Sequence, residues 1–295
     1  MSNQLPLVSV IIPSYNHAQY IENCISSILN QDYTNFELIV IDDGSTDGSI
    51  EILIALQKKY GFYLETNKNQ GLAKTLNRGF RDLAKGEFLS ACASDDYWCP
   101  DKLKMQVSFF QKNLDCGMVY GKAYIIDENN AILEERTDKT NIKLKGGQIF
   151  KELILMEFHP PVNYMYRKSI LQELGYFKED IWAEDFDMNL RIARNYSIGF
   201  INHFLSYYRV NNTIPSKNLN FKSINSHKLS IEVHKDSEFY LEAIKLWYYR
   251  CFTWYAPFSG GKKIAIKGMF YNLDRLLTKD FIHAMGLLIF RWHKK

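Results

Sequence analysis

Residues 36–49 read FELIVIDDGSTDGS, an apolar β-branched run that ends in a turn of acidic, hydroxyl and glycine residues. An apolar spacing of three and four residues follows over 50–60, as in an amphipathic helix. The preceding segment has the same arrangement, because a strand pattern over 7–12 ends at Pro13 and a helical pattern follows over 18–29. Two successive strand–loop–helix units predict a parallel β-sheet.

The alternation of strand and helix patterns continues as far as residue 120. The next expected elements are a strand over 62–65, a helix over 72–84, a strand over 86–93, a helix over 101–113 and a strand over 118–126. The rhythm then becomes irregular. The polar segment 127–147 predicts a loop, and it is followed by an amphipathic stretch over 148–156, a strand over 162–166, a helix over 184–194 and a pair of strands over 197–210.

The composition is that of a packed soluble protein, since 46% of the 295 residues are hydrophobic and 23% are charged. A net charge of +3 is too small to indicate a nucleic-acid partner. The five cysteines have no C-x-x-C spacing and lie mostly in apolar runs, which favours buried reduced thiols and a cytoplasmic location. No apolar stretch reaches the roughly 18 residues of a membrane-spanning helix, so no transmembrane segment is expected.

Polar residues occupy three loops that follow predicted strands: 13–16, Asp42 with Asp43, and Asp95 with Asp96. Ligands of parallel sheets bind beyond the carboxyl ends of the strands, so these loops are the expected site. The motifs G-x-G-x-x-G and G-x-x-x-x-G-K-[ST] are absent, which argues against a dinucleotide enzyme and a P-loop enzyme. Paired carboxylates can hold Mg²⁺ or Mn²⁺ against substrate phosphates, although either pair is also typical of a turn or helix cap.

Five segments, in this order, strongly resemble the family 2 glycosyltransferases with a GT-A fold. They are VSVIIPSYN (8–16), ELIVIDDGSTDGS (37–49), NQGLAKTLNRG (69–79), GEFLSACASDDYWCPDKL (86–103) and WAEDFDMNLR (182–191). The resemblance implies an α/β protein with a mostly parallel, nucleotide-binding sheet flanked by helices. It implies a GT-A domain over 1–215, with a nucleotide-binding half over 1–120 and an acceptor half over 121–215.

The resemblance also implies a donor site and a cofactor. Pro13 and Tyr15 are expected to border the nucleotide base, and Asp43 to accept a hydrogen bond from it. Asp95 is expected to contact the ribose or a metal-bound water, and Asp96 to ligate a divalent cation, Mn²⁺ or Mg²⁺. The family's D-x-D motif corresponds to residues 94–96, where a serine replaces the first acid.

Glu184-Asp185 resembles the family's E-D motif, whose second acid is the general base for the acceptor hydroxyl. We therefore expect Asp185 to be the catalytic base and Glu184 to orient the acceptor. Acids in a first helical turn also complement the helix dipole, and both interpretations can hold together. Arg209 resembles a late-loop residue that pairs with phosphate oxygens. Asn211 and Asn212 stand where many relatives have a histidine, so the resemblance leaves open whether the metal has a third protein ligand.

After Pro215 long helical patterns replace the alternation and predict a helical C-terminal extension over 216–295. Its terminal part combines lysine and arginine with tryptophan and phenylalanine. One interpretation is a set of amphipathic helices on an anionic membrane surface. The other is a helical cap or a homodimer contact.

The resemblance thus implies transfer of a single sugar, with inversion, from a nucleotide-diphosphate sugar to a glycan or lipid-linked acceptor. A UDP-sugar is the favoured donor, and the expected setting is O-antigen, capsule or other bacterial surface glycan assembly on the inner face of the membrane. One alternative is a sugar nucleotidyltransferase, whose glycine- and arginine-rich first loop is missing. The other is a catalytically inactive carbohydrate-binding protein of the same fold.

Overall fold

The computed structural model describes residues 5–210 and 221–290. One sheet contains the strands β1 Val8–Ser14, β2 Phe36–Asp42, β3 Tyr63–Thr66, β4 Phe88–Ala91, β5 Tyr97–Trp98, β6 Cys116–Ile126, β7 Met165–Arg167 and β8 Ser197–Arg209. The helices are α1 Ile21–Leu29, α2 Ser49–Tyr60, α3 Leu72–Asn77, α4 Lys102–Lys112, α5 Glu134–Asn141, α6 Phe150–Ile154, α7 Lys168–Leu174, α8 Glu184–Asn195, α9 Phe221–Glu232, α10 Tyr240–Tyr255, α11 Lys262–Tyr271 and α12 Lys279–Phe290. A π-helical segment, Arg78–Leu83, follows α3, and short 3₁₀ segments occur at Ser259–Gly261 and Leu273–Arg275.

The sheet has the strand order β3-β2-β1-β4-β7-β6-β8-β5. Strands β3, β2, β1 and β4 are all parallel, as expected for strands joined by helical crossovers. The short strand β7 runs antiparallel to β4 and β6, whereas β8 is parallel to β6 and β5 is antiparallel to β8. The predicted α/β fold with a mostly parallel sheet is confirmed.

The core beneath the first loops is formed by β1 and α1. Alternate residues of β1, including Val10, pack in one apolar cluster with Ile21 and Ile25 of α1. The opposite face of β1 carries Ile11, which packs against the π-helical segment. A Cβ atom at Gly79 would lie 2.6 Å from the side chain of Ile11, so this close approach requires glycine.

Two local predictions were wrong. The expected loop 127–147 contains α5, and the expected pair of strands over 197–210 is the single strand β8. The pairing of β8 with β6 shifts register on both sides of Lys122, and this bulge gives the strand an irregular pattern. The expected helix 72–84 is present, as α3 followed directly by the π-helical segment.

The described residues divide into two compact units. The first consists of 5–153 and 158–210 and contains the sheet. The second consists of 154–157 and 221–290 and contains α9 to α12. The predicted boundary at residue 215 lies outside the described residues. Within the described ranges, no helix combines the length and the apolarity that crossing a bilayer requires.

Candidate active site

The loops after β1 and β2 are held together by Asp42, which is fully buried. Its carboxylate accepts hydrogen bonds from the Ser45 N–H at 2.8 Å, the Ser45 hydroxyl at 2.6 Å and the Ser14 hydroxyl at 3.1 Å. These bonds fix the turn at the carboxyl end of β2. The role of Asp42 is therefore to shape the loop that presents the next residue, Asp43.

Asp43, the residue expected to bind the base, is buried beside the 69–71 segment. Its two carboxylate oxygens accept the N–H groups of Gln70 and Gly71, each at 2.9 Å. A carboxylate offers about four lone-pair directions, so these two bonds leave acceptor capacity. Gly44 has a φ of +84°, and a Cβ atom there would lie 2.8 Å from the Asn69 nitrogen. The base contact of Asp43 stays a prediction.

The two expected base-bordering residues lie at the end of β1. Pro13 is half-buried within the strand, and the ring of Tyr15 is 47% exposed in the loop. The following residue, Asn16, ties this loop to the loop after β2: its N–H donates to the Ser45 hydroxyl, and its side-chain oxygen accepts the Thr46 N–H, both at 2.8 Å. Tyr15 thus projects from an anchored loop and leaves a ring face available for stacking.

His17 joins all three loops, although no sequence motif singles it out. Its N–H donates to the Ser49 hydroxyl at 3.1 Å, and its Nδ1 lies 2.8 Å from the Ser94 hydroxyl. Its Nε2 lies 3.8 Å from a carboxylate oxygen of Asp95. A lone histidine in a loop has no motif spacing, so only the folded chain reveals this bridge.

Asp96, the expected metal ligand, is buried at the end of the β4 loop. Its carboxylate accepts the N–H of Arg209 at 2.7 Å. Burial raises the pKa of Asp96 well above the ordinary value, and the charge of Asp95 raises it further. Two adjacent carboxylates therefore repel each other in a site that a cation would neutralise.

Arg209 fixes the position of this acidic loop. Its guanidinium donates to the carbonyl oxygens of Asp95 at 2.8 Å and Asp127 at 2.6 Å, and to the side-chain oxygen of Asn130 at 2.6 Å. It also lies 4.0 Å from the ring centre of Tyr20. The guanidinium therefore bridges two main-chain segments, at Asp95 and at Asp127. Its expected contact with phosphate stays a prediction. Asn211 and Asn212 lie outside the described residues.

Glu184 and Asp185 open α8 and are both partly exposed. One carboxylate oxygen of Asp185 accepts the Phe186 N–H at 2.7 Å. Burial raises the pKa of Asp185, and the neighbouring His159 opposes this rise. Burial, together with the charge of Asp185, raises the pKa of Glu184 to about 7.

Tyr208 connects the two groups of acids. Its pKa is raised to about 12, first by burial and then by the charges of Asp96, Asp95 and Asp185. The loop after β4 and the first turn of α8 are far apart in the chain, yet carboxylates from both raise the pKa of this one phenol. The fold thus brings the predicted metal ligand and the predicted base to the surroundings of a single side chain.

The donor set at Asp95 and Asp96 fits a hard divalent cation. In the described part of the chain, no group of three or more His, Cys, Asp or Glu side chains is placed to hold a metal. Mg²⁺ and similar ions are commonly bound by one or two carboxylates, with water and substrate phosphates as the other ligands. The buried carboxylate of Asp96, next to the partly exposed and mutually repelling carboxylate of Asp95, meets that description.

Comparison with known proteins identifies the family. The family model described as glycosyl transferase family 2 matches residues 9–175, which is more than half of the chain. The chain belongs to glycosyltransferase family 2. This family 2 glycosyltransferase is 31% identical over 213 residues to an uncharacterized glycosyltransferase of Methanocaldococcus jannaschii, and the match covers 70% of the chain and 72% of that relative.

A second relative has a more specific name. Over 116 residues the family 2 glycosyltransferase is 40% identical to a putative teichuronic acid biosynthesis glycosyltransferase of Bacillus subtilis, covering 38% of the chain and 45% of the relative. Two glycosyltransferases of Rickettsia species are longer, and the chain spans 29% and 36% of their lengths.

Solved structures show the same fold. TarS of S. aureus, residues 1–349 in complex with UDP, has a TM-score of 0.64 at 19% identity, covering 96% of this chain and 88% of TarS. The mannosyltransferase PcManGT from Pyrobaculum calidifontis, in complex with GDP-Man and Mn²⁺, has a TM-score of 0.61 at 17% identity, covering 97% and 85%. The predicted GT-A fold of this family 2 glycosyltransferase is therefore confirmed.

Proposed function

We propose that this glycosyltransferase transfers a single sugar from a nucleotide-diphosphate sugar to an acceptor hydroxyl, with inversion at the anomeric carbon. The observation that carries the proposal is the convergence at Tyr208 of the charges of Asp95, Asp96 and Asp185. A single displacement needs an acidic pair that would hold a metal bound to the diphosphate. It also needs a separate carboxylate that takes the proton of the acceptor hydroxyl.

The donor side of the proposed site is the sheet edge at the ends of β1, β2 and β4. Pro13 and Tyr15 border the base, Asp43 accepts a hydrogen bond from it, and Asp95 contacts the ribose or a metal-bound water. The exposed ring of Tyr15 and the remaining lone pairs of Asp43 support these roles. A UDP-sugar is the favoured donor, and the UDP complex of TarS agrees with this choice.

The proposed cofactor is Mn²⁺ or Mg²⁺, which Asp96 would hold with the help of Asp95. Such an ion stabilises the negative charge of a departing diphosphate by several kcal/mol. The chain's own contribution is to fix the carboxylates: Arg209 binds both residues, through the carboxylate of Asp96 and the carbonyl of Asp95. A Mn²⁺ complex of a protein with the same fold supports the choice of cofactor.

Asp185 is the proposed general base. One of its carboxylate oxygens accepts the Phe186 N–H, and the carboxylate takes the proton of the acceptor hydroxyl. The raised pKa of Asp185 brings its basicity closer to neutral pH, where proton transfer is more favourable. Glu184 retains its proton up to about pH 7 and can therefore donate a hydrogen bond that orients the acceptor.

The proposed setting is bacterial surface polysaccharide assembly, such as O-antigen or capsule, on a glycan or lipid-linked acceptor at the cytoplasmic face of the membrane. The name of the Bacillus subtilis relative supports this class of product. A membrane-surface contact through the second unit is part of the proposal. Its apolar side chains Phe270 and Leu277 are 63% and 92% exposed, close to a cluster of basic residues.

Metal-dependent release of nucleotide from a panel of UDP- and GDP-sugars tests the proposal. We expect release from at least one sugar nucleotide, dependent on Mn²⁺ and reduced by about 100-fold or more in Asp96→Asn. The exposed Asp32 provides the matched control Asp32→Asn, which should retain the activity. Release that needs no metal would contradict the cofactor. A nucleotide-sugar made from a nucleoside triphosphate and a sugar phosphate would favour the nucleotidyltransferase, and no release from any donor would favour the inactive binding protein.

A further inference from the structure

A cavity of the first unit lies near the proposed base and has no role in the proposed function so far. It is a cavity of about 320 Å³ between α5, β6, the 159–162 segment and the end of β8. Most of its wall is apolar, and Pro160, Val162 and Val210 are examples. This volume is in the range of small-ligand pockets, which combine an apolar wall with a few polar groups.

The cavity is adjacent to Asp185. Two of its lining residues, His159 and Tyr208, interact electrostatically with the Asp185 carboxylate. The ring of His159 lies 6.2 Å from that of Phe186, whose N–H binds Asp185. A molecule bound in the cavity therefore shares two wall residues, His159 and Tyr208, with the surroundings of the carboxylate that is proposed to take a proton.

The wall nearest the base is fixed to α8. The Tyr164 hydroxyl donates to the carbonyl oxygen of Pro160 at 2.9 Å and accepts a hydrogen bond from the Asn189 side chain at 3.2 Å. Asn189 belongs to the same helix as Asp185. The cavity wall and the base thus keep a fixed separation, as a positioned acceptor requires.

The cationic lining residues of the cavity are Arg136 and Lys139, and none of its lining side chains is acidic. Both lie on α5, the helix that the sequence did not predict. Lys139 pairs with Glu135, which lies outside the wall. Arg136 has no ion pair with any residue of 5–210 or 221–290. A guanidinium without an ion pair in the wall of a mostly apolar cavity suits the paired oxygens of a carboxylate or phosphate.

We propose that this cavity is the acceptor subsite and that it selects an acceptor sugar bearing an anionic group, a carboxylate or a phosphate. Arg136 binds the anion, Lys139 adds positive charge, and the apolar wall contacts the C–H face of the sugar ring. The inference rests on the proposed function, because the acceptor is defined by its proximity to the base Asp185. The catalytic base and the donor residues are not part of the anion contact.

Binding of simple sugars to the full chain, measured by calorimetric titration without any donor, tests this proposal. The probes are glucuronate, glucose 6-phosphate and uncharged glucose. We expect at least one anionic sugar to bind about tenfold more tightly than glucose, and Arg136→Gln to remove most of that difference. The exposed Lys143 lies outside the cavity wall and carries the same charge, so Lys143→Gln is the matched control and should bind as the unaltered chain does.

The two anionic probes separate the two sources of charge, since a preference for glucuronate indicates a uronate acceptor and a preference for glucose 6-phosphate indicates a phosphorylated one. Equal binding of all three sugars, no binding of either anionic sugar, or full anion binding by Arg136→Gln would each overturn the proposal. Donor turnover is measured separately with Asp96→Asn, so a failure of the anion site is distinguishable from a failure of the proposed function.

Discussion

Glu184 and Asp185 are adjacent in the chain, and the fold gives them different environments. Both pKa values are raised by burial, but the carboxylate of Asp185 also has the Phe186 N–H as a donor and His159 as a nearby cationic group when protonated. These contacts favour the ionised form of Asp185. Neighbouring carboxyl groups whose environments differ in this way commonly divide acid and base roles.

The first prediction concerns the base itself. Asp185→Asn keeps the size of the side chain and removes its proton acceptor, so we expect turnover to fall by about 10² to 10⁴ while donor affinity changes little. Steady-state kinetics with varied donor concentration measures both quantities. Asp180→Asn changes an exposed acid just before α8 and serves as the control. A comparable loss of donor affinity in Asp185→Asn would give this residue a structural role instead.

The second prediction concerns Glu184 and pH. Because its pKa is raised to about 7 in the folded chain, the folded state holds more protons than the unfolded state between the ordinary glutamate pKa and pH 7. The contribution of Glu184 to stability therefore decreases as pH rises through this window. Glu184→Gln should remove this decrease, so the variant gains stability relative to the unaltered chain from pH 4.5 to pH 7. Denaturant unfolding at several pH values measures the difference, and a constant difference would contradict the assignment.

Residue identity and motif order predict Asp95, Asp96 and Asp185 as site residues, because these acids occur in recognisable segments, and in the folded chain the charges of all three act on Tyr208. The same information could not reveal His17 or the position of Tyr208 among these acids. His17 acts through loops that meet only after the strands pair, and Tyr208 acquires its importance from charges located more than twenty residues away in the chain. Such relations are properties of the tertiary structure.

Among the helices and strands, those with a long apolar periodicity could be predicted from the sequence, and short ones without it could not. The apolar spacing of α1 and the β-branched run of β1 gave nearly the observed bounds. The helix α5 has the sequence EERTDKTN, with Thr137 as its buried residue, so no apolar stripe indicates a helix. It forms because its side chains bond to β6: the Thr137 and Asn141 oxygens accept the N–H groups of Ile125 and Ala123.

The helix α4 buries a lysine, and this feature gives the third prediction. Lys102 is fully buried, donates to the Ser90 hydroxyl at 2.9 Å and to the Gln106 side chain at 2.7 Å, and lies 3.7 Å from the Trp98 ring centre. Burial lowers its pKa to about 7. Between pH 7 and pH 10.5 the unfolded state therefore holds more protons, and stability rises with pH.

Replacing Lys102 with methionine keeps most of the packing volume and removes the titrating amine. We expect Lys102→Met to reduce the rise of the unfolding free energy between pH 7 and pH 10.5, measured by urea denaturation. The exposed Lys104 on the same helix gives the control Lys104→Met, which should retain the slope. An unchanged slope in Lys102→Met would show that the buried amine stays protonated.

The second unit of the molecule exposes apolar side chains within a basic segment. The segment 262–280 contains five basic and two acidic residues, and Leu277 within it is 92% exposed. Exposed apolar side chains among basic residues favour an anionic lipid surface. The fourth prediction is that the chain co-sediments with vesicles containing anionic lipid and much less with zwitterionic vesicles.

Leu277→Ser should weaken vesicle binding by about tenfold, since a buried leucine contributes about 1.5 to 3 kcal/mol. Leu114 in the first unit is 79% exposed, so Leu114→Ser is the matched control and should not alter binding. Equal sedimentation with both kinds of vesicle would contradict the membrane contact. If the molecular mass in solution instead doubles as protein concentration rises, and Leu277→Ser returns it to the mass of one chain, the homodimer contact is favoured.

In the proposed site Asp96 binds the metal–nucleotide complex, and Asp185 takes the proton of the acceptor hydroxyl without holding the nucleotide. Calorimetric titration of UDP, with and without Mn²⁺, tests this division of roles on the unaltered chain, Asp96→Asn and Asp185→Asn. We expect Mn²⁺ to strengthen UDP binding in the unaltered chain and in Asp185→Asn but not in Asp96→Asn. An equal effect of Mn²⁺ on UDP binding in Asp96→Asn would contradict it.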